Sequence, residues 1–227
     1  FNLKNPGLEI FMVHESYPWN AGIEMHDGAT GEYVFAFPTN ADTGRGASGD
    51  IDPRYEGAES WAIGMNDWDT REGKMITQDG EVIGNTIPAA NFMIWWDGDL
   101  GREILDHEFV DNGTDYYPVS VHIAKWDWEN EQQVNILEPE GLYSNNGTKG
   151  NPCFQADIFG DWREEAAWRT TDGNAIRIYT TVDPASYRLY TLMHDTQYRT
   201  QVACEATGYN QPPTTSFYIG FDTDLMN

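Results

Sequence analysis

The sequence predicts an all-β chain of the β-propeller type, and three observations predict it. A short unit recurs along the chain, β-rich runs alternate with turn pairs, and no stretch sustains the period of a long amphipathic helix.

The unit is a polar or acidic turn, then Gly or Arg, then Glu, then an apolar strand. It occurs as FNLKNPGLEIFMV, GDIDPRYEGAESWAI, WWDGDLGREILD and ADIFGDWREEAAWRT. The anchor residues are Glu9, Glu59, Glu103 and Glu165, roughly 50 residues apart, near the spacing of four-stranded propeller blades. Blade-like repeats are therefore placed at residues 1–48, 49–90, 91–150 and 151–227. About four blades do not close a ring of the usual size. The chain also opens at Phe1, without a Met, inside a segment that reads as working. A processed chain or a fragment of something larger is expected. A two-sheet sandwich with regularly spaced turns is the alternative architecture.

Strand runs fall between the anchors: EYVFAF, NFMIWW, IRIYTT, YRLYTLM and SFYIGF. Turn pairs separate them at Asp27-Gly28, Asp79-Gly80, Asn112-Gly113, Asn146-Gly147 and Asp172-Gly173, the dipeptides that suit tight reversals.

Charge is one-sided. Thirteen Lys and Arg against 37 Asp and Glu give a formal charge of −24, and a basic face for nucleic acid is not to be expected. No apolar run approaches the roughly 20 residues of a membrane span, and no signal peptide is evident. The carboxylate excess fits a solvated surface or several bound hard cations, calcium preferring sites of six to eight oxygens. Cys153 and Cys204 are too far apart for a metal motif and are read as a disulfide or two buried thiols.

The acidic turns are the candidate metal sites. Asp50 and Asp52, with Glu56 and Glu59, share one loop; Asp97, Asp99 and Glu103 share the next; Asp157, Asp161 and Glu165, with Glu164, share a third. Alternating acids in a turn can wrap calcium, although the full calcium-loop motif is absent. The competing reading is that they cap turns and pair with Arg54, Arg102 and Arg163. The five histidines show no zinc spacing, and no phosphate-binding or nucleophile-elbow motif occurs. The stretch Tyr143–Arg169 combines a polar Asn-Gly-Thr-Lys loop, Asn146 to Lys149, with one of these acidic turns.

At GDIDPRYEGAE, NFMIWWDGDLGREILD, NNGTKGNPCFQADIFGDWREEAAWR, YRLYTLMHDTQYR and YNQPPTTSFYIG, the sequence resembles the rhamnogalacturonan lyases of polysaccharide lyase family eleven, over essentially its whole length. The resemblance implies the C-terminal half of an eight-bladed, calcium-binding propeller acting on the rhamnose-galacturonate backbone of pectin. It implies that Arg54, the loop Asn146, Gly147, Thr148 and Lys149, and Tyr209 line the substrate cleft. A family metal-ligand glutamate falls at Glu24 or Glu15. Two departures are Thr214, where the family motif has histidine, and an extra stretch around Gly113 to Lys125 that lengthens one connection.

What the resemblance implies is a secreted or cell-surface lyase that cleaves by β-elimination, with calcium neutralising the uronate carboxylate. Lys149 or Arg54 is then the base and Tyr209 a sugar contact, lysine having the better claim. A non-catalytic, calcium-dependent pectin-binding module and a structural repeat for protein contacts are the alternatives. A second polypeptide carrying the preceding blades is a further expectation, and the stretch Ile63 to Gly73 is the candidate loop for internal against terminal cleavage.

Overall fold

The computed structural model describes residues 2–15, 22–39, 43–63, 72–111, 116–147, 149–205 and 211–224. The chain is all-β, and the strands among the described residues lie in four separate antiparallel sheets. The first holds β1 (Glu9–Val13), β2 (Ile23–Asp27) and β3 (Tyr33–Phe37) in sequence order. The second holds β4 (Arg45–Gly49), β5 (Glu59–Ile63), β6 (Glu72–Ile76) and β7 (Val82–Thr86), also in sequence order. The third runs through β8 (Phe92–Ile94), β9 (Glu103–Asp111), β10 (Tyr116–Asp127) and β11 (Gln132–Leu137).

The fourth sheet is centred on β14 (Glu165–Thr170). Two short strands, β12 (Leu142–Tyr143) and β13 (Phe154–Ala156), lie end to end along one edge of it, and β15 (Ile176–Tyr179) lies along the other. The residues between β12 and β13 are thereby thrown out of the sheet as a loop. Each anchor glutamate, Glu9, Glu59, Glu103 and Glu165, is the first residue of a strand.

The chain divides into two compact units, one of Phe1–Ala90, Trp126–Gln133 and Tyr218–Asn227, the other of Asn91–Lys125 and Val134–Phe217. In the first unit Ile23, Met25 and Phe35 of the first sheet pack on Ala62 and Ile76 of the second. The approach is close at Gly46, where a Cβ would stand 2.5 Å from Val13 Cγ1 and 2.9 Å from the Trp61 carbonyl, so only glycine fits.

In the second unit the period of two is read directly as packing. Phe92 and Ile123 flank Leu105 in register, and Ile94 and Val121 continue the same face. This face meets Leu142, Ala166 and Trp168 of the fourth sheet. Trp168 is fully buried and edge-on to Tyr179, with ring centroids 5.7 Å apart. Each such large side chain contributes about 1.5–3 kcal/mol by leaving water.

Several sequence expectations are corrected. YRLYTLM does not form a strand; its end is a short 3-10 helix, Leu192–His194, because Leu192 N–H is drawn off to Asp157 Oδ2 at 2.8 Å. SFYIGF is not a strand either, since Ser216 N–H is held by Asp195 at 2.6 Å and Phe221 N–H by Asp50 at 2.7 Å. Of the stretch around Gly113 to Lys125, Gly113, Thr114 and Asp115 lie outside the described residues, and the rest lies in the twelve-residue β10. Cys153 and Cys204 are not joined in a disulfide and are not a buried pair, one being half-buried and the other exposed.

A nine-residue helix, α1 (Thr196–Cys204), follows. It has no amphipathic stripe and hangs on its Asp195 cap, which accepts from Gln197 N–H and Tyr198 N–H, and on one buried side chain, Tyr198. None of the described helices is long and apolar enough to cross a membrane.

Candidate functional site

The turn between β4 and β5 carries Arg54. Glu59 closes this turn, its Oε2 accepting from Ile51 N–H and Asp52 N–H, both at 3.0 Å. Asp52, itself buried, clamps the guanidinium through Nε at 2.9 Å and Nη2 at 2.6 Å. The guanidinium lies over the rings of Trp128, at 5.0 Å, and Tyr55, at 5.6 Å. The hydrogen bonds it donates to Asp52 raise the pKa of Arg54, so it stays charged. Asp50 Oδ2 accepts from Tyr218 O–H and Phe221 N–H. Burial pushes the Glu59 carboxyl up to about 9, with Asp50 and Asp52 adding to it, and Glu59 Oε1 is buried without a hydrogen-bond partner.

The loop thrown out between β12 and β13 carries Asn146, Gly147 and Lys149, all half-buried. Asn145 N–H to the Asn151 carbonyl, 2.8 Å, pins its neck. Ser144 donates to the Asn146 carbonyl at 3.0 Å, which leaves His107 Nδ1–H to donate to Ser144 Oγ at 2.5 Å. The loop is thus docked on β9. Gly150 has φ +65, and a Cβ there would fall 2.4 Å from Asp106 Oδ1, so glycine is required beside Lys149. Thr148 and Tyr209 lie outside the described residues. The segment that follows Tyr209 is tied to α1, Gln197 Nε2 donating to the Thr215 carbonyl at 3.0 Å and Ser216 Oγ to Asp195 at 2.8 Å. Thr214, at the family's histidine position, bonds Gln201 through Oγ1 at 3.0 Å.

Of the two glutamates offered as a family metal ligand, Glu15 is exposed and Glu24 is embedded. Glu24 Oε2 meets His14 Nε2 at 2.9 Å and His26 Nε2 at 3.1 Å. Burial opposes its ionisation, yet the bonds from His26 and His14 outweigh that and hold its pKa below the usual range. The Gly31 carbonyl, then Glu24, raise His26.

The third-sheet turn brings Asp97, Asp99 and Glu103 together, one carboxylate oxygen of each lying within 4.8 Å of the others. Lys125 Nζ sits among them, bonded to Asp97, to Asp99 at 2.6 Å and to Glu103 at 3.1 Å. The fourth-sheet turn is also self-satisfied. Glu165 Oε2 accepts from Ile158 N–H at 2.9 Å and Phe159 N–H at 3.1 Å, and Oε1 from Thr180 at 3.0 Å. Asp157 accepts from Gly160 N–H and Leu192 N–H, both at 2.8 Å, and Asp161 pairs with Arg163. Asp157, Asp161 and Glu165 thus all accept from donors in this turn and the segments beside it.

Sequence reasoning missed three participants: Lys125, which enters from a neighbouring strand; Trp128, beneath Arg54; and Tyr198, whose hydroxyl donates to the buried Glu164 at 2.6 Å. One signal was available for the first. Asp52 and Asp161 each have an arginine two residues on, whereas Asp99 has Gly101, so its cation had to come from elsewhere.

Antiparallel sheets opened by buried, turn-closing glutamates define a repeated-sheet protein with cation-bearing loops. The chain belongs to rhamnogalacturonan lyase family 11, as its C-terminal domain, the match extending over residues 1–227. It is 48% identical to the rhamnogalacturonan exolyase YesX of Bacillus subtilis over 94% of this chain and 34% of that one. It is 46% identical to the rhamnogalacturonan endolyase YesW of the same organism over 95% of this chain and 31% of that one. Among solved structures, the Bacillus licheniformis rhamnogalacturonan lyase PL11 superposes with a TM-score of 0.85 at 47% identity, covering 97% of this chain and 34% of that one. The chain thus spans about a third of the length of the curated relatives it matches.

Proposed function

We propose that this chain is the C-terminal part of a rhamnogalacturonan lyase that cleaves the rhamnose-galacturonate backbone of pectin by β-elimination. The observation that carries this reading is near 47% identity, over almost the whole chain, to relatives named as exolyase and endolyase. The four sheets are then blades of a larger β-propeller. In the relatives the matched third lies in one longer chain, so nothing calls for the second polypeptide expected from the sequence. Secretion, or display at the cell surface, follows from a polymeric substrate.

In the reaction a base removes the proton on C5 of galacturonate. The C5–H electrons form the C4–C5 double bond, the C4–O bond to rhamnose breaks, and the departing oxygen takes a proton. Arg54 suits the uronate carboxylate: it is always charged, Asp52 and Trp128 pre-orient it, and its Nη1 edge remains for the substrate. Its raised pKa removes it as the base. Lys149 takes that role, since an amine gives up its proton far more readily than a guanidinium. Asn146 and Gly147 offer polar contacts to the sugar from the same loop, and Tyr209 a ring.

Calcium is part of the proposal only where a turn suits it. In the Asp50–Glu59 turn the buried Glu59 Oε1 lacks a hydrogen-bond partner, so Glu59 with Asp50 would hold the ion. Bound there, calcium supplies positive charge that keeps Glu59 ionised and the Arg54 turn closed. The carboxylates of the other two turns are already answered by Lys125, Arg163 and backbone N–H groups. Glu24, the other candidate ligand that the family resemblance offers, sits between His14 and His26.

The test is ultraviolet absorbance of the unsaturated product on incubating the intact protein with rhamnogalacturonan, with and without chelator. Lys149→Ala should lower the rate about 10²- to 10⁴-fold with thermal unfolding unchanged. Polymer binding without any absorbing product would instead select the non-catalytic binding module.

A further inference from the structure

We propose that Lys125 is the resident cation of the Asp97, Asp99 and Glu103 turn, a tethered ammonium standing where a divalent ion would sit. The sequence leads one to expect calcium at the acidic turns, and this turn has the acids to attract it. Its oxygens, however, are all accounted for. Asp97 Oδ1 accepts from Asp99 N–H at 2.9 Å and Asp99 Oδ1 from Gly101 N–H at 2.8 Å. Glu103 Oε2 accepts from Trp96 N–H at 2.9 Å. The remaining oxygen of each carboxylate faces Lys125 Nζ.

An ammonium has three N–H donors, and here one goes to each of three acids. A calcium ion needs six to eight oxygens at 2.3–2.6 Å around it, and would have to displace that ammonium to reach these. The neighbouring turns follow the same plan with different cations. Arg54 answers Asp52 and Arg163 answers Asp161, each from two residues along the chain. In the third turn that position is Gly101, and the cation arrives from β10 instead. The inference concerns metal occupancy of one turn and stands whether or not the chain takes part in a lyase.

Its test uses the intact protein with calcium and with luminescent terbium(III) as the metal probe, excited through Trp95 and Trp96 beside the turn. The number of bound calcium ions should be the same in the unaltered protein and in Asp99→Asn. Lys125→Ser should gain one ion, seen as new terbium luminescence that Asp97→Asn abolishes in the double variant. Loss of an ion in Asp99→Asn would overturn the proposal, because the turn would already hold metal. A folded Lys125→Ser that takes no ion would overturn it as well, since the ammonium would then replace nothing. If Lys125→Ser does not fold, the ion count of Asp99→Asn against the unaltered protein still decides.

Discussion

The turns of the second and third sheets make the same use of one glutamate and leave it in opposite electrostatic company. Glu59 and Glu103 each open a strand, each is fully buried, and each closes its turn by accepting backbone N–H groups on Oε2. In the third sheet Lys125 answers Oε1; in the second no hydrogen bond does. The motif thus dictates the turn and burial raises both acids, to about 9 at Glu59 and about 8 at Glu103, where the charge of Lys125 offsets part of the burial.

The largest expected effect sets the scale for a cation withdrawn from the interior. Arg102 is buried beside Glu164 at 3.6 Å, and its guanidinium lies 4.0 Å from the centre of the Trp95 ring. Arg102→Ala should destabilise the protein by about 3–5 kcal/mol in denaturant titration, because it strands a buried carboxylate. Lys125→Met should cost less, about 1–3 kcal/mol, since 35% of the lysine side chain stays in contact with water. A loss as large as that of Arg102→Ala would mean that the two acidic turns differ more than the geometry says.

Glu59 yields a pH signature. Its carboxyl is raised from 4.5 to about 9. The folded state therefore binds this proton more tightly than the unfolded state does. The resulting stability is full below about 4.5, declines as pH rises, and is gone above about 9. Glu59→Gln, which retains one acceptor oxygen, should flatten the slope of stability against pH across that window. Calcium should do the same if it binds there, and a slope unchanged by the substitution would show that Glu59 is ionised throughout. The smallest effect is expected at Trp128→Ala, about 0.5–1 kcal/mol for the lost stacking under Arg54, with weakened polymer binding as the readout.

Much of this was legible along the chain. The repeated Glu marks strand starts because a turn with several inward N–H groups needs one buried acceptor, and that requirement is local. The Asp-Gly pairs at 27, 79 and 172 mark real reversals for the same local reason. The ends of YRLYTLM and SFYIGF misled because their β-rich composition was overridden by Asp157, Asp195 and Asp50, acids distant in sequence that take their N–H groups away from any ladder. The short helix was hidden because one cap and one buried tyrosine hold it, and neither leaves a periodic trace.

The sequence by itself determined the all-β class, the four strand-opening glutamates, the family, and the loop that presents Lys149. Those follow from patterns spanning fewer than about a dozen residues, within which backbone geometry leaves few choices. Only the tertiary structure decided which cationic or imidazole groups the acids meet: Arg54 at Asp52, Arg163 at Asp161, two histidines at Glu24, and Lys125 at Asp97, Asp99 and Glu103. A carboxylate in a sequence is a charge without a partner. Its chemistry, as turn cap, ion pair or metal ligand, depends on which donor the fold brings within about 3 Å, and spacing along the chain does not encode that distance.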